Sequence, residues 1–280
     1  MSHEVRDEYL LHDGLRLHVR DWAGPSSSAP VIVLLHGYTG HARTWDGLAP
    51  ALAGRYRVLA ADARGHGESD WTGDADAYSV PAQVADVVAL LTGFGVERAA
   101  VLGLSMGGRT ALNLAARHPG RVERLVVVDI GPEVAAAGAA RIGANVSAVD
   151  VFASPEEAVA RAREQNTVAP DDVVRHRVLH NLLRLPDGRW TLRYDPVLRA
   201  GGARLPRPDV SEQWALLSDI TAPTLLVRGE LSDVLDRDDA ARMVSAIPDC
   251  TLAEVAGAGH TVPMDQPERF LDAIRWFLSV

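Results

Sequence analysis

Short apolar runs that alternate with helical patterns constrain this chain more than any other feature. Val31 to Leu35 contains no polar residue, and Arg57 to Ala61, Ala99 to Leu102 and Leu125 to Asp129 are nearly as apolar. A strand with one wet face alternates apolar and polar residues, so an unbroken run marks a strand covered on both faces. Between the runs lie helix signals. Ser79 is placed as an N-cap and Pro81 in the first turn, followed by Val84, Val87, Val88 and Leu91 at helical spacing, with Gly93 and Gly95 closing the segment. Met106 to His118 is a second helix, which Pro119 stops. Repetition of this kind predicts an α/β fold, a parallel sheet with helices on both faces. Upstream, Arg6 to Leu11 and Leu15 to Trp22 read as two strands joined at the turn dipeptide Asp13-Gly14.

The rhythm stops after Asp129. Residues 131–218 hold no strand of the same kind. Ser154-Pro155-Glu156-Glu157 is a capping box that opens one helix. Asp171 or Asp172 opens another, with Val174, Val178, Leu179, Leu182 and Leu183 on one face. Pro186-Asp187-Gly188 is a turn before the strand-like Trp190 to Tyr194. The expectation is a helical cap, residues 131–218, inserted into a core made of residues 1–130 and 219–280. The sheet pattern resumes at Thr224 to Val227 and Thr251 to Val255. Asp265-Gln266-Pro267-Glu268 then caps an amphipathic helix that carries Phe270, Ile274 and Phe277.

Composition excludes several function classes. A formal net charge of -9 disfavours nucleic acid and anionic membrane as partners. All 28 basic residues are arginine, so neither a lysine Schiff base nor a P-loop lysine is available. No G-x-G-x-x-G opens a dinucleotide unit. The single cysteine, Cys250, rules out an internal disulfide. Met1 to Leu10 is polar and acidic, without a signal pattern, and no apolar run is long enough to span a bilayer. These features predict a cytoplasmic protein; its oligomeric state stays open.

The strongest chemical signal is Gly103-Leu104-Ser105-Met106-Gly107, a G-x-S-x-G between a buried strand and a helix. A turn this sharp strains the serine backbone, leaves no room for side chains on the flanking glycines and lifts the hydroxyl above the sheet edge. It also sets the Met106 N–H at a helix N-terminus, where a developing oxyanion is favoured. A serine hydroxyl needs a base, and the base needs an orienting acid. His260, in Gly257-Ala258-Gly259-His260 after the last strand, is the expected base. Asp233, just past Thr224 to Val227, is the expected acid, with Asp129 as its rival. The loop His36-Gly37-Tyr38-Thr39-Gly40 is expected to supply a second oxyanion donor, the Tyr38 N–H, while His36 holds the loop and Arg64 anchors the one after the next strand. Trp190, Tyr194 and Trp214 are candidates for an apolar substrate wall.

In order along the chain, H-G-x at His36, D-x-R-G-H-G-x-S from Asp62, G-x-S-x-G, the loop ending Ser232-Asp233 and the final G-x-G-H resemble the α/β-hydrolase superfamily. The resemblance implies an eight-stranded, mostly parallel sheet with a helical cap between strands six and seven. It supports Ser105, Asp233 and His260 as a triad that needs no cofactor and no metal. Ser105 sets the chain apart from related dehalogenases and epoxide hydrolases, which use an aspartate nucleophile. The implied activity is hydrolysis of a small-molecule ester or lactone. Carbon–carbon bond hydrolysis, a cofactor-free haloperoxidase activity and a ligand-binding receptor of the same fold are the alternatives.

Overall fold

The computed structural model describes residues 4–147, 151–200, 206 and 208–280. The expected cap, 131–218, is therefore described only in part; residues 148–150, 201–205 and 207 lie outside the described residues.

Eight strands form the main sheet: β1 (Val5–His12), β2 (Leu15–Trp22), β3 (Val31–Leu35), β4 (Arg57–Ala61), β5 (Ala99–Leu104), β6 (Val122–Val128), β7 (Thr224–Gly229) and β8 (Cys250–Val255). Their order across the sheet is β1-β2-β4-β3-β5-β6-β7-β8. Strands β4 to β8 and β3 run parallel to one another, whereas β2 pairs antiparallel with both β1 and β4. The β1–β2 hairpin turns at Asp13 and Gly14, both at positive φ (53° and 74°), as a two-residue hairpin connection requires.

The unbroken apolar runs become central strands whose successive side chains enter two different cores. Ile32, Leu34, Val58, Ala60, Leu102 and Val126 join one cluster. Val33, Leu35, Leu59, Val101 and Val127 join the cluster on the opposite face. Helices α1 (Val80–Gly93) and α2 (Met106–Arg117) cover the second face through Val84, Val87, Leu91, Ala111 and Leu114. The Ser79 hydroxyl caps α1 by accepting from the Ala82 N–H.

Between β6 and β7 the chain leaves the main sheet. It forms α3 (Ala136–Ser147), α4 (Pro155–Gln165) and α5 (Asp171–His180), with a small antiparallel sheet of Val151–Phe152, Trp190–Leu192 and Leu182–Arg184. The strand at Trp190–Leu192 falls within the strand-like stretch expected there, whereas Val151–Phe152 and Leu182–Arg184 add strands to an insertion expected to be otherwise helical. Asn181 ends α5, and Leu182 and Leu183 pair with Leu192 and Thr191 instead of extending the helix. The Asn181 side chain stops that helix against the core by donating to the Thr39 carbonyl, 2.9 Å. Val210–Ala215 and Leu216–Asp219 pack back on the main body: Leu216 and Leu217 enter the second core cluster, and Gln213 exchanges hydrogen bonds with Asn113 of α2.

The chain finishes with α6 (Arg237–Ala246), capped by Asp236, and α7 (Pro267–Leu278), which buries Phe270, Ile274 and Phe277 against the first cluster. Asp265 does not cap α7. It accepts instead from the Gly259 N–H (2.9 Å), the Thr261 hydroxyl (2.7 Å) and the Asn166 amide (2.8 Å), which braces the loop that carries His260.

Candidate active site

Ser105 stands between β5 and α2 with φ 53° and ψ −115°, outside the regions that a serine ordinarily adopts. Two glycines allow the bend. A Cβ on Gly103 would lie 2.3 Å from the Gly107 carbonyl oxygen, and one on Gly107 would lie 2.4 Å from that of Leu35. The Gly107 N–H donates to the His36 carbonyl, which ties the start of α2 to the loop after β3. Strain of this kind persists only where neighbouring backbone over-determines it.

His260 reaches the same edge of the sheet from the loop after β8. Its Nε2 is 2.9 Å from Ser105 Oγ and its Nδ1 is 2.9 Å from Asp129 Oδ2. An ionised carboxylate only accepts, so Nδ1 carries the hydrogen and Nε2 is left to accept from the serine hydroxyl. Asp129 follows β6 at φ 51° and is fully buried behind the imidazole. It also accepts from the Gly229 N–H (2.9 Å) and the Ser232 hydroxyl (2.5 Å), so both oxygens are held.

Asp233 was the expected partner of His260, and the structure corrects this. Its carboxylate takes a bidentate fork from Arg141 of α3, at 2.6 and 2.7 Å. That guanidinium holds the Asp233 carboxyl below the usual carboxylate range. Helix α3 approaches the Asp233 loop so closely that a Cβ on Gly138 would sit 2.4 Å from the Asp233 carbonyl oxygen. Asp129 had been only the rival. Both residues follow strand ends, and nothing local in the sequence reveals that α3 delivers an arginine to one of them.

Around the serine opens a cavity of about 400 Å³, within the range of small-molecule sites. The loop after β3 forms one wall. A Cβ on Gly37 would lie 3.3 Å from Ser105 Cβ, and Gly37 and Tyr38 line the cavity together with Ser105. The Met106 N–H is the first of α2, where no preceding helical carbonyl is available to it. The Tyr38 ring turns away to the inserted segment, with its hydroxyl donating to the Leu198 carbonyl at 2.6 Å. His36 braces the same loop. Its Nδ1–H donates to the Gly37 carbonyl (2.8 Å) and its Nε2 accepts from the Ala63 N–H (3.0 Å). Burial, with the neighbouring His66 adding to it, pulls its pKa down to about 3. Arg64 anchors the following loop through two hydrogen bonds to Asp86, 2.7 and 2.8 Å, and one to the Ala77 carbonyl.

Of the three expected aromatic wall residues only Tyr194 lines the cavity. Trp190 packs against the first core cluster. Trp214 sits outside, donating to Glu133 (2.8 Å) beneath the guanidinium of Arg242. Sequence reasoning missed the polar lining of the cavity, which includes Arg141, Arg161, Arg177, Asn166 and Asn181. Among the described residues, no group of three or more His, Cys, Asp or Glu side chains is placed to hold a metal ion.

A sequence model described as the alpha/beta hydrolase fold matches residues 30–267. The chain belongs to the α/β-hydrolase family. It is 33% identical to the 3-hydroxybutyrate-oligomer hydrolase of Cupriavidus necator, over 94% of this chain and 92% of that one. It is 32% identical to the esterase Rv0045c of Mycobacterium tuberculosis, over 92% of this chain and 85% of that one. Among solved structures, the E-2-(acetamidomethylene)succinate hydrolase superposes with a TM-score of 0.89 at 27% identity, covering 99% of this chain and 100% of that one. Among the described residues no helix is long and apolar enough to cross a membrane.

Proposed function

We propose that this α/β hydrolase is a serine hydrolase that cleaves a carboxylic ester or lactone through an acyl-enzyme. The observation that carries the reading is the unbroken relay Ser105–His260–Asp129, with both hydrogen bonds at 2.9 Å, opening on a cavity of small-molecule size. His260 Nε2 takes the proton as Ser105 Oγ attacks the carbonyl carbon. The backbone N–H groups of Met106 and Tyr38 hold the oxyanion. The imidazolium then gives its proton to the leaving alkoxide. Water, deprotonated by the same nitrogen, attacks the acyl-enzyme and releases the acid. Asp129 is the orienting acid, because it fixes the Nδ1–H tautomer and balances the imidazolium charge. The 3-hydroxybutyrate-oligomer hydrolase and the esterase are named for hydrolytic reactions, and an ester-cleaving relay fits beside them.

The segment between β6 and β7 acts as the cap. Helices α3, α4 and α5 contribute cavity-lining residues, so this segment sets the substrate range. The enzyme works in the cytoplasm without cofactor or metal. Turnover of a short-chain p-nitrophenyl ester, with labelling of the protein by a fluorophosphonate, tests the reading. Ser105→Ala abolishes both. Labelling that persists in the Ser105→Ala protein refutes the nucleophile.

A further inference from the structure

Acidic residues outnumber arginines in this chain, 37 to 28, so carboxylates are in good supply. On α4 and α5 the arginines divide into two kinds. Arg175 faces outward and pairs with Glu156 (3.4 Å), and Arg163 pairs with Asp171 (2.9 Å) and donates to the Asn166 and Ala169 carbonyls. Arg161 and Arg177 instead line the cavity that holds Ser105 and His260, and neither makes a hydrogen bond or ion pair through its side chain to any described residue.

The carboxylates around that cavity are already committed. Asp129 serves His260, Ser232 and the Gly229 amide. Asp233 is filled by Arg141. Asp265 accepts from Asn166, Thr261 and the Gly259 amide, and acts on Arg177 only through space. Arg177 is also fixed in place. Its carbonyl accepts from His41 Nε2 at 2.9 Å, and its neighbour Val178 is buried in the first core cluster. Burial lowers the pKa of its guanidinium more than the charge of Asp265 raises it, as for a cation partly stripped of water with no carboxylate in hydrogen-bonding contact. Such a group is costly unless a ligand supplies the counter-charge.

We propose that Arg177, assisted by Arg161, receives a free carboxylate of the substrate, so that the compound cleaved is an ester carrying a second, unesterified acid group. The inference rests on the ester-hydrolase reading and names its substrate class. The acid group can sit on the acyl side or on the alcohol side of the scissile bond, and the chemistry that Arg177 recognises is the same in both.

Two pairs of substrates distinguish the sides. Mono-p-nitrophenyl glutarate is compared with p-nitrophenyl pentanoate, and 3-acetoxypropanoate with its methyl ester. In the wild-type protein one charged ester exceeds its neutral partner in kcat/KM by about tenfold or more. Arg177→Met removes that preference through KM, Arg177→Lys restores part of it, and the outward-facing Arg175→Met leaves it intact. A neutral ester preferred in both pairs, or a charged preference unchanged in Arg177→Met, overturns the proposal. Calorimetric binding of glutarate to the Ser105→Ala protein reads the anion site without turnover. Binding that weakens about tenfold on adding Arg177→Met supports the site even if no ester is cleaved, and binding unaffected by that change overturns it.

Discussion

The imidazole of His260 is oriented by Asp129, whose carboxylate lies 2.9 Å from Nδ1 and comes from the end of β6 rather than from the loop after β7. The carboxylate after β7, Asp233, is spent on Arg141. Two acidic side chains thus converge on one edge of the sheet with different duties: one is buried behind the base, the other bridges the core to the inserted segment.

Their substitutions separate accordingly. Asp129→Asn is expected to lower kcat on a p-nitrophenyl ester by about 10⁴-fold, since the wrong tautomer of His260 is then favoured. Asp233→Asn breaks a half-exposed ion pair and is expected to cost less than about 1 kcal/mol of stability. Its kcat stays far above that of Asp129→Asn. Steady-state rates and urea midpoints on the two purified variants check this, and equal losses of kcat would restore Asp233 as the orienting acid.

The elbow tolerates no added methyl group. In Gly103→Ala the new Cβ meets the Gly107 carbonyl oxygen at 2.3 Å, a collision of the methyl group with backbone that no rotamer relieves. A loss of about 3 kcal/mol in unfolding free energy is expected, as for a severely overpacked core site. Urea denaturation measures it. A variant as stable as wild type would mean that the turn can open.

Acid destabilises the fold through buried histidines. Burial holds His36 at about 3 and His41 at about 4, against an ordinary value of 6.5. The unfolded chain therefore takes up protons near pH 6.5 that the folded chain refuses. Stability is full above that pH and falls as pH drops through it toward 4, by up to about 1.4 kcal/mol per pH unit for each histidine. Asp62, held at about 2 in the fold against 3.8, loses its contribution only below that range, whereas His18, which Asp62 and Asp7 hold above its ordinary value against burial, offsets part of the decline. Denaturation midpoints at pH 7, 6 and 5 should decline, and less steeply in His36→Gln. A decline just as steep in His36→Gln would show that the His36 imidazole takes up its proton in the folded protein.

Trp214 lies outside the cavity, so Trp214→Ala should leave the acyl-chain preference unchanged. It loses the bond to Glu133 and the stacking of Arg242, 3.7 Å above the ring, for about 1 kcal/mol of stability. Rates across acyl chains from two to eight carbons provide the check, and a shifted optimum would place the ring in the substrate path.

Much of the architecture could be read from the chain because the signals were local. Val31 to Leu35 names a doubly covered strand by itself, and the glycines around Ser105 announce the bend that positions it. His260 follows from its place after the last strand. The choice between Asp129 and Asp233 is different in kind. It depends on Arg141 arriving from a helix ninety-two positions before Asp233 in the chain, and on a positive φ at Asp129. The pairing of Leu182 and Leu183 into a small sheet depends in the same way on Trp190 to Leu192 folding back beside them, and their spacing fits a helix equally well. The cavity's arginines carry no sequence mark at all, because an arginine facing in and one facing out look alike in a helical repeat.

The inserted segment is sewn to the rim that carries Ser105 and His260 at several places, among them Tyr38 to the Leu198 carbonyl, Asn181 to the Thr39 carbonyl, Asn166 to Asp265, and Arg141 to Asp233. A protein engineer who transplants this region from a relative to change selectivity therefore cannot treat it as an independent module. A graft that omits these stitches would disturb the nucleophile's surroundings even with the relay itself untouched, and one that carries them over as matched sets has the better prospect of a working hybrid.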